Sequence, residues 1–239
     1  MTTRFVSGWM AFVFVAAALA ASPRDAQWEQ VRDARQKGLP KSAVAALEPI
    51  IAGAMADKAY PEAIKAIAEK VAFEGEIQGN RAEEKIVRFQ TELDKAPAPM
   101  KPVMEAILAH WYWQYFQQNP WRFLQRTQTA VSPGPDIQTW DLARILAEID
   151  RHFTAALANE KELKATPIAD YDALLTKGTV PDDYRPTLFD FLVYDALSFY
   201  QTGEQGVTIA EQTFEVTADS PVFGTVRQFL AWPPETTDP

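Results

Sequence analysis

TWDLARILAEIDRHFTAALA, residues 139–158, decides the fold class. Leu142, Ile145, Leu146, Ile149, Phe153 and Leu157 recur at three- and four-residue intervals, which predicts an α-helix with one core-facing stripe. Asp141, Arg144, Glu148 and Arg151 fall mostly off that stripe. Upstream, the helix expected from Val103 to about Gln118 carries the densest aromatic run in the chain: Trp111, Tyr112, Trp113, Tyr115 and Phe116, with Trp121 and Phe123 just past Pro120. Consecutive aromatic residues point in different directions around a helix, so no single neighbour can bury them all. This helix is expected at the centre of the fold.

Working outward, Ala26 to about Asp94 reads as consecutive amphipathic helices with short breaks. Gly38 and Pro40 mark a helix stop and the next helix start. Pro49 predicts a kink or break inside the second helix. Pro61 opens a helix with Ile64, Ile67, Ala68 and Val71 inward and a Lys65–Glu69 pair outward. Asn80 with Glu83 resembles a capping box ahead of Ile86, Phe89 and Leu93. Downstream, Pro186 begins a helix of such apolar character (Leu188, Phe189, Phe191, Leu192, Val193, Tyr194) that burial is expected on all sides. Val207 to Val216 is β-branched in partial alternation and predicts a short extended segment.

The expected fold class is therefore all-α, an array of antiparallel helical hairpins of degenerate tetratricopeptide-like kind, with that extended segment near the C-terminus. The divisions are 21–98 for the N-terminal hairpins, 99–206 for the aromatic central region, and 207–239 for the strand, a short helix and a tail. Residues 1–20 stand apart: a basic start, an uncharged apolar run from Phe5, and Ala18-Leu19-Ala20 at a cleavage-like site read as a secretory signal peptide. A retained membrane anchor is the alternative, since the uncharged run approaches the roughly 20 residues of a spanning helix. The expected location is the periplasm or the exterior.

Composition narrows the function. The 239 residues contain no cysteine, two histidines and a net charge of −9. Disulfides, thiol nucleophiles, thioesters and Cys-ligated zinc are thereby excluded. Residues 136–239 hold 18 acidic against 7 basic side chains, so nucleic acid is not an expected partner. His110 and His152 lack metal-ligand spacing, Asp182-Asp183 lacks that of a calcium loop, and no phosphate-loop, nucleophile-elbow or zinc-hydrolase motif occurs. No catalytic residue, metal or cofactor is expected.

Asp190 and Asp195 sit on the apolar helix after Pro186, where a buried acid needs a partner; Arg185 or Arg122 could supply it. A carboxylate pair could also serve a glycosidase, although hydrogen-bonded structural acids are the commoner case. The aromatic belt reads as core, with Trp121 and Trp140, beside helix breaks, as candidates for contact with a protein partner.

YWQYFQQNPWRFLQRT (112–127), DIQTWDLARILAEIDRHFTAAL (136–157), TPIADYDALLTKG (166–178) and YRPTLFDFLVYDALSFY (184–200) resemble, in order and spacing, the N-terminal helical region of large bacterial α2-macroglobulin-like proteins of cell envelopes. WEQVRDARQKGLPKSAVAALEPIIAGA (28–54) and FEVTADSPVFGTVRQF (214–229) fit the same region. The resemblance implies an exported, non-enzymatic protein of the protease-trapping kind. In that family trapping rests on later β-domains, a bait segment and, in many members, a cysteine thioester. None is present in these 239 residues, and the signal segment lacks a lipoprotein cysteine. The expectation is a piece of, or an accessory to, a trapping protein, with later macroglobulin-like domains or a protease as partners. A generic envelope scaffold of tetratricopeptide-like type is the alternative.

Overall fold

A computed structural model describes residues 24–79, 81–124, 134, 136–176, 178–179, 181–203 and 221–232. Their order is α1 (Asp25–Gln36), α2 (Pro40–Ala56), α3 (Tyr60–Ile77), α4 (Ala82–Lys95), α5 (Lys101–Gln118), α6 (Pro120–Leu124), α7 (Leu142–Leu157), α8 (Glu160–Ala165), α9 (Leu188–Tyr200) and α10 (Val226–Leu230). The fold is all-α, and no strand occurs among the described residues. The expected signal segment 1–20 and the expected extended segment 207–216 lie outside them.

The first hairpins are made by two equivalent turns. Gly38 at φ 64° lets the Leu39 amide donate to Ala34 O at 2.9 Å and its own amide donate to Arg35 O at 3.1 Å. One helix later Lys58, at φ 56°, supports the same pair, Ala59 to Ala54 O at 2.8 Å and Lys58 to Met55 O at 3.2 Å. Each left-handed residue satisfies helix-end carbonyls and reverses the chain. Proline then opens the next helix, where its missing N–H costs nothing. Folding back in this way, α2 packs against both α1 and α3, and α3 against α4.

Several local expectations meet different outcomes. Helix α2 runs through Pro49 without a break. Pro49 and Ala45, whose carbonyl loses its donor, are both exposed, so water can serve that carbonyl. The Lys65–Glu69 pair does not form: Glu69 accepts from Arg35 at 2.7 Å, and Lys65 lies over the Trp28 ring at 4.9 Å. Asn80 is outside the described residues, and α4 begins at Ala82 without a side-chain cap. Glu83 instead faces α5.

Helix α5 is central, in contact with α4, α6, α7 and α9. Its Tyr112, Tyr115 and Phe116 are buried, and Trp111 and Trp113 pack half-buried at the edge. The α7 stripe is inward at Ile145, Leu146, Ile149 and Phe153. One hydrophobic core runs from Ala54 in α2 to Phe199 in α9, and a second, smaller cluster joins Trp28, Val31, Leu47, Ile50 and Phe73. Helix α9 corrects its expectation of all-round burial. Leu188, Leu192, Ala196 and Phe199 face inward, whereas Tyr194, Leu197 and Tyr200 are exposed.

Candidate functional site

The polar groups of the central helices form three bonded clusters. In the first, His152 on α7 is fully buried, with its Nδ1 2.5 Å from Glu105 Oε2 on α5. Its Nε2 stands 2.8 Å from an Arg151 guanidinium nitrogen. Glu148 Oε1 lies 3.5 Å from the same Nε2, so the ring is set between two carboxylates and a guanidinium. Glu148, 7% exposed, binds both Arg144 at 2.9 Å and Arg151 at 2.7 Å. Tyr112 stacks between the His152 and Trp140 rings, and its burial, with the Glu148 charge nearby, pushes the phenol well above its ordinary value.

The second cluster joins α5 to α9. His110 Nε2 lies 2.6 Å from Asp195 Oδ1, and its ring stacks on Trp113 and meets the Phe153 edge. The third fixes α6. Tyr115 donates to Glu83 Oε1 at 3.0 Å, Arg122 donates to the Tyr115 hydroxyl at 2.9 Å, and Gln138 reaches Glu83 at 3.2 Å. Burial by itself would raise the Glu83 carboxyl, but a hydrogen bond from its own backbone N–H, the bonds from Tyr115 and Gln138 and the Arg122 charge hold it below its ordinary value.

The acids singled out in the sequence are thus partnered, though not with arginine. Asp190 forms a capping box with Thr187, whose hydroxyl donates to it at 2.7 Å. Asp195 takes His110. Arg185 lies over the Tyr194 ring at 3.9 Å, and Arg122 serves Tyr115 and Glu83. The physical reason is position. Asp190 is the third residue of α9, where the free N–H groups of the helix start compete for a carboxylate. Asp195 lies one and a half turns on, opposite α5.

The two tryptophans also separate. Trp140 is buried at 3% exposure, its Nε1 donating to Gly134 O at 2.8 Å and Arg144 lying over its ring at 4.8 Å. It takes a core position rather than the exposed one expected, because its ring stacks on Tyr112 of α5. Trp121 is 60% exposed. It projects from α6, which is pinned by Phe123 (2% exposed) against Tyr115 and Phe116 and by the Arg122 bonds. Leu124, three residues on, is 59% exposed.

A groove of about 320 Å3 opens where the starts of α3, α5 and α8 converge, walled by Tyr60, Pro61, Pro99, Pro102 and Tyr171. Among the described residues no three histidines and carboxylates are grouped to hold a metal ion, and no helix is long and apolar enough to cross a membrane. What sequence reasoning missed are the His110–Asp195 and His152–Glu105 pairs, which join residues 85 and 47 positions apart. No local spacing signals them. Comparison with protein-family models, with curated proteins and with solved structures found no match.

Proposed function

We propose that this chain is a non-enzymatic, exported helical module that acts through protein–protein contact, of the type that stands at the N-terminal end of bacterial α2-macroglobulin-like proteins. The observation that carries the contact role is Trp121. A large aromatic side chain is 60% exposed on a short helix that is itself held by a buried phenylalanine and an arginine bridge. Such a presentation has little conformational freedom left to lose on binding, and tryptophan is the residue type that most often dominates binding energy at interfaces. The central acids and both histidines are engaged with internal partners, which supports a holding role for them. The family part of the reading rests on the ordered segment resemblances, and export rests on the basic, apolar and small-residue order of residues 1–20.

The test begins with the DNA that follows the Pro239 codon. Continuing or adjacent frames are expected to encode β-rich macroglobulin-type domains, and the purified chain is expected to bind them in titration calorimetry. Trp121→Ala should weaken that binding about tenfold or more, the loss of roughly 1.4 kcal/mol or more. Absence of such domains, or binding to them that Trp121→Ala leaves unchanged, removes the respective half of the proposal. Export is checked by N-terminal sequencing of the protein recovered outside the cytoplasm, which should begin near Ala21.

A further inference from the structure

Two apolar surfaces of this chain stand open, one on α9 and one on the short helix that follows it in sequence. On α9, Tyr194, Leu197 and Tyr200 are 47, 40 and 39% exposed and follow one side of the helix at three-residue intervals, with the Arg185 guanidinium 3.9 Å from the Tyr194 ring centre at one end. On α10 and the turn before it, Phe223, Val226, Phe229 and Leu230 are 69, 75, 49 and 76% exposed. Val226, Phe229 and Leu230 have the i, i+3, i+4 spacing of a single helix face. The helix is begun by a full capping box, Thr225 with Gln228. A capped helix with its whole apolar face in water is an element built to be covered.

We infer that α10 docks along the exposed strip of α9 in the same chain, closing Val226, Phe229 and Leu230 over Tyr194, Leu197 and Tyr200. Charge favours this occupant. Arg227 and Asp150 each form no ion pair with another described residue. Asp150, on α7, accepts a hydrogen bond from the Tyr200 hydroxyl and so stands at one end of the strip. Docking brings the arginine beside the acid. Length permits it as well. Residues 204–220 connect the two elements, 17 residues that can span up to roughly 55 Å, whereas Tyr194 to Tyr200 covers only about 9 Å of helix. A tether of that length places α10 at a local concentration of order millimolar around the strip, far above that of any second copy in dilute solution.

The absence of native cysteine makes the test direct. In the full chain, the pair Leu197→Cys and Phe229→Cys, both at exposed positions, is oxidised in a glutathione buffer beside a control pair, Val87→Cys and Phe229→Cys. Val87 is 53% exposed on α4, away from the strip. Docking brings the first pair within disulfide reach, a Cα separation of about 7 Å or less. Its intrachain bond is expected to form about tenfold faster than the control. Adding Val226→Asp and Leu230→Asp, which leave the α9 strip untouched, should return it to the control rate. Equal rates for the two pairs overturn the inference. So does a disulfide found only between two chains, which would give the strip to a second copy, or a fast intrachain bond that the aspartates leave unchanged.

Discussion

His152 and Glu105 meet at 2.5 Å in the seam between α7 and α5, with no part of the histidine exposed and only 15% of the glutamate side chain in water. A polar bond so placed holds two helices in one register, because either partner alone would be left desolvated. Glu105→Leu should destabilise the fold by about 2 kcal/mol, and His152→Phe by a similar amount. The double variant should lose less than the sum, with a coupling of about 1–2 kcal/mol in urea unfolding. Additive losses would show that the two side chains do not depend on each other.

Arg24 and Glu62 make the corresponding contact at the other end of the molecule. The Arg24 side chain donates to Glu62 Oε2 from two nitrogens at 2.9 and 2.6 Å and to Asp57 at 2.6 Å, while Trp28 Nε1 donates to Glu62 Oε1 at 2.8 Å. Burial alone would raise the Glu62 carboxyl, but the bonds from Arg24 and Trp28 hold it below its ordinary 4.5. A carboxyl lowered on folding contributes stability that is present above the unfolded value and lost as pH falls through the folded one. Glu62→Gln should therefore cost about 2 kcal/mol at pH 7, with Asp57 still pairing Arg24. The gap from the parent protein should narrow as the pH falls below about 4.5. Urea midpoints measured across that range decide it, and a gap independent of pH would exclude the carboxylate as its source.

How far the sequence foretold these features depends on how local their causes are. Ile145, Leu146, Ile149 and Phe153 were legible because helical period alone places them, and the centrality of α5 followed from aromatics pointing three ways. Glu148 was misplaced. It lies off the apolar stripe by period, yet it is buried because Arg144 and Arg151, one turn to either side, cover and neutralise it. Arg24 gave no signal at all, since its partners are 33 and 38 residues away. Trp121 and Trp140 looked alike beside their breaks. Only the stacking of Trp140 on Tyr112 separates them. Hydrophobic period is written residue by residue, whereas a polar pair between helices is decided by the register in which they pack.

The two hairpin turns allow a reciprocal experiment. Gly38 and Lys58 hold the same hydrogen bonds at φ 64° and 56°, but only glycine adopts that region without a Cβ penalty. Nothing lies within 4 Å of a Cβ built on Gly38, so Gly38→Ala tests conformation alone. It should cost about 1 kcal/mol, and Lys58→Gly should add about 0.5–1 kcal/mol of stability. Thermal unfolding of the two variants should move in opposite directions. If Lys58→Gly lowers the midpoint, the lysine side chain at the rim of the α3 groove supplies more stability than its backbone strain removes.

Trp121 and Trp140 provide the sharpest contrast between surface and core. Trp140 stacks on Tyr112 with ring centres 5.6 Å apart, carries the Arg144 guanidinium over its ring and spends its indole N–H on Gly134. Trp140→Ala removes these contacts and opens a cavity beside Tyr112, at a cost of about 3–5 kcal/mol. In a domain of this size that lowers the unfolding midpoint by roughly 10 °C. Trp121→Ala should change stability by no more than about 0.5 kcal/mol, because the residue packs mainly against solvent. The pinning of α6 depends on Phe123 and Arg122, which the substitution leaves in place. Scanning calorimetry of both variants distinguishes the roles: equal losses would mean that Trp121 contributes to the core, and it could then no longer be read as a surface held ready for a partner.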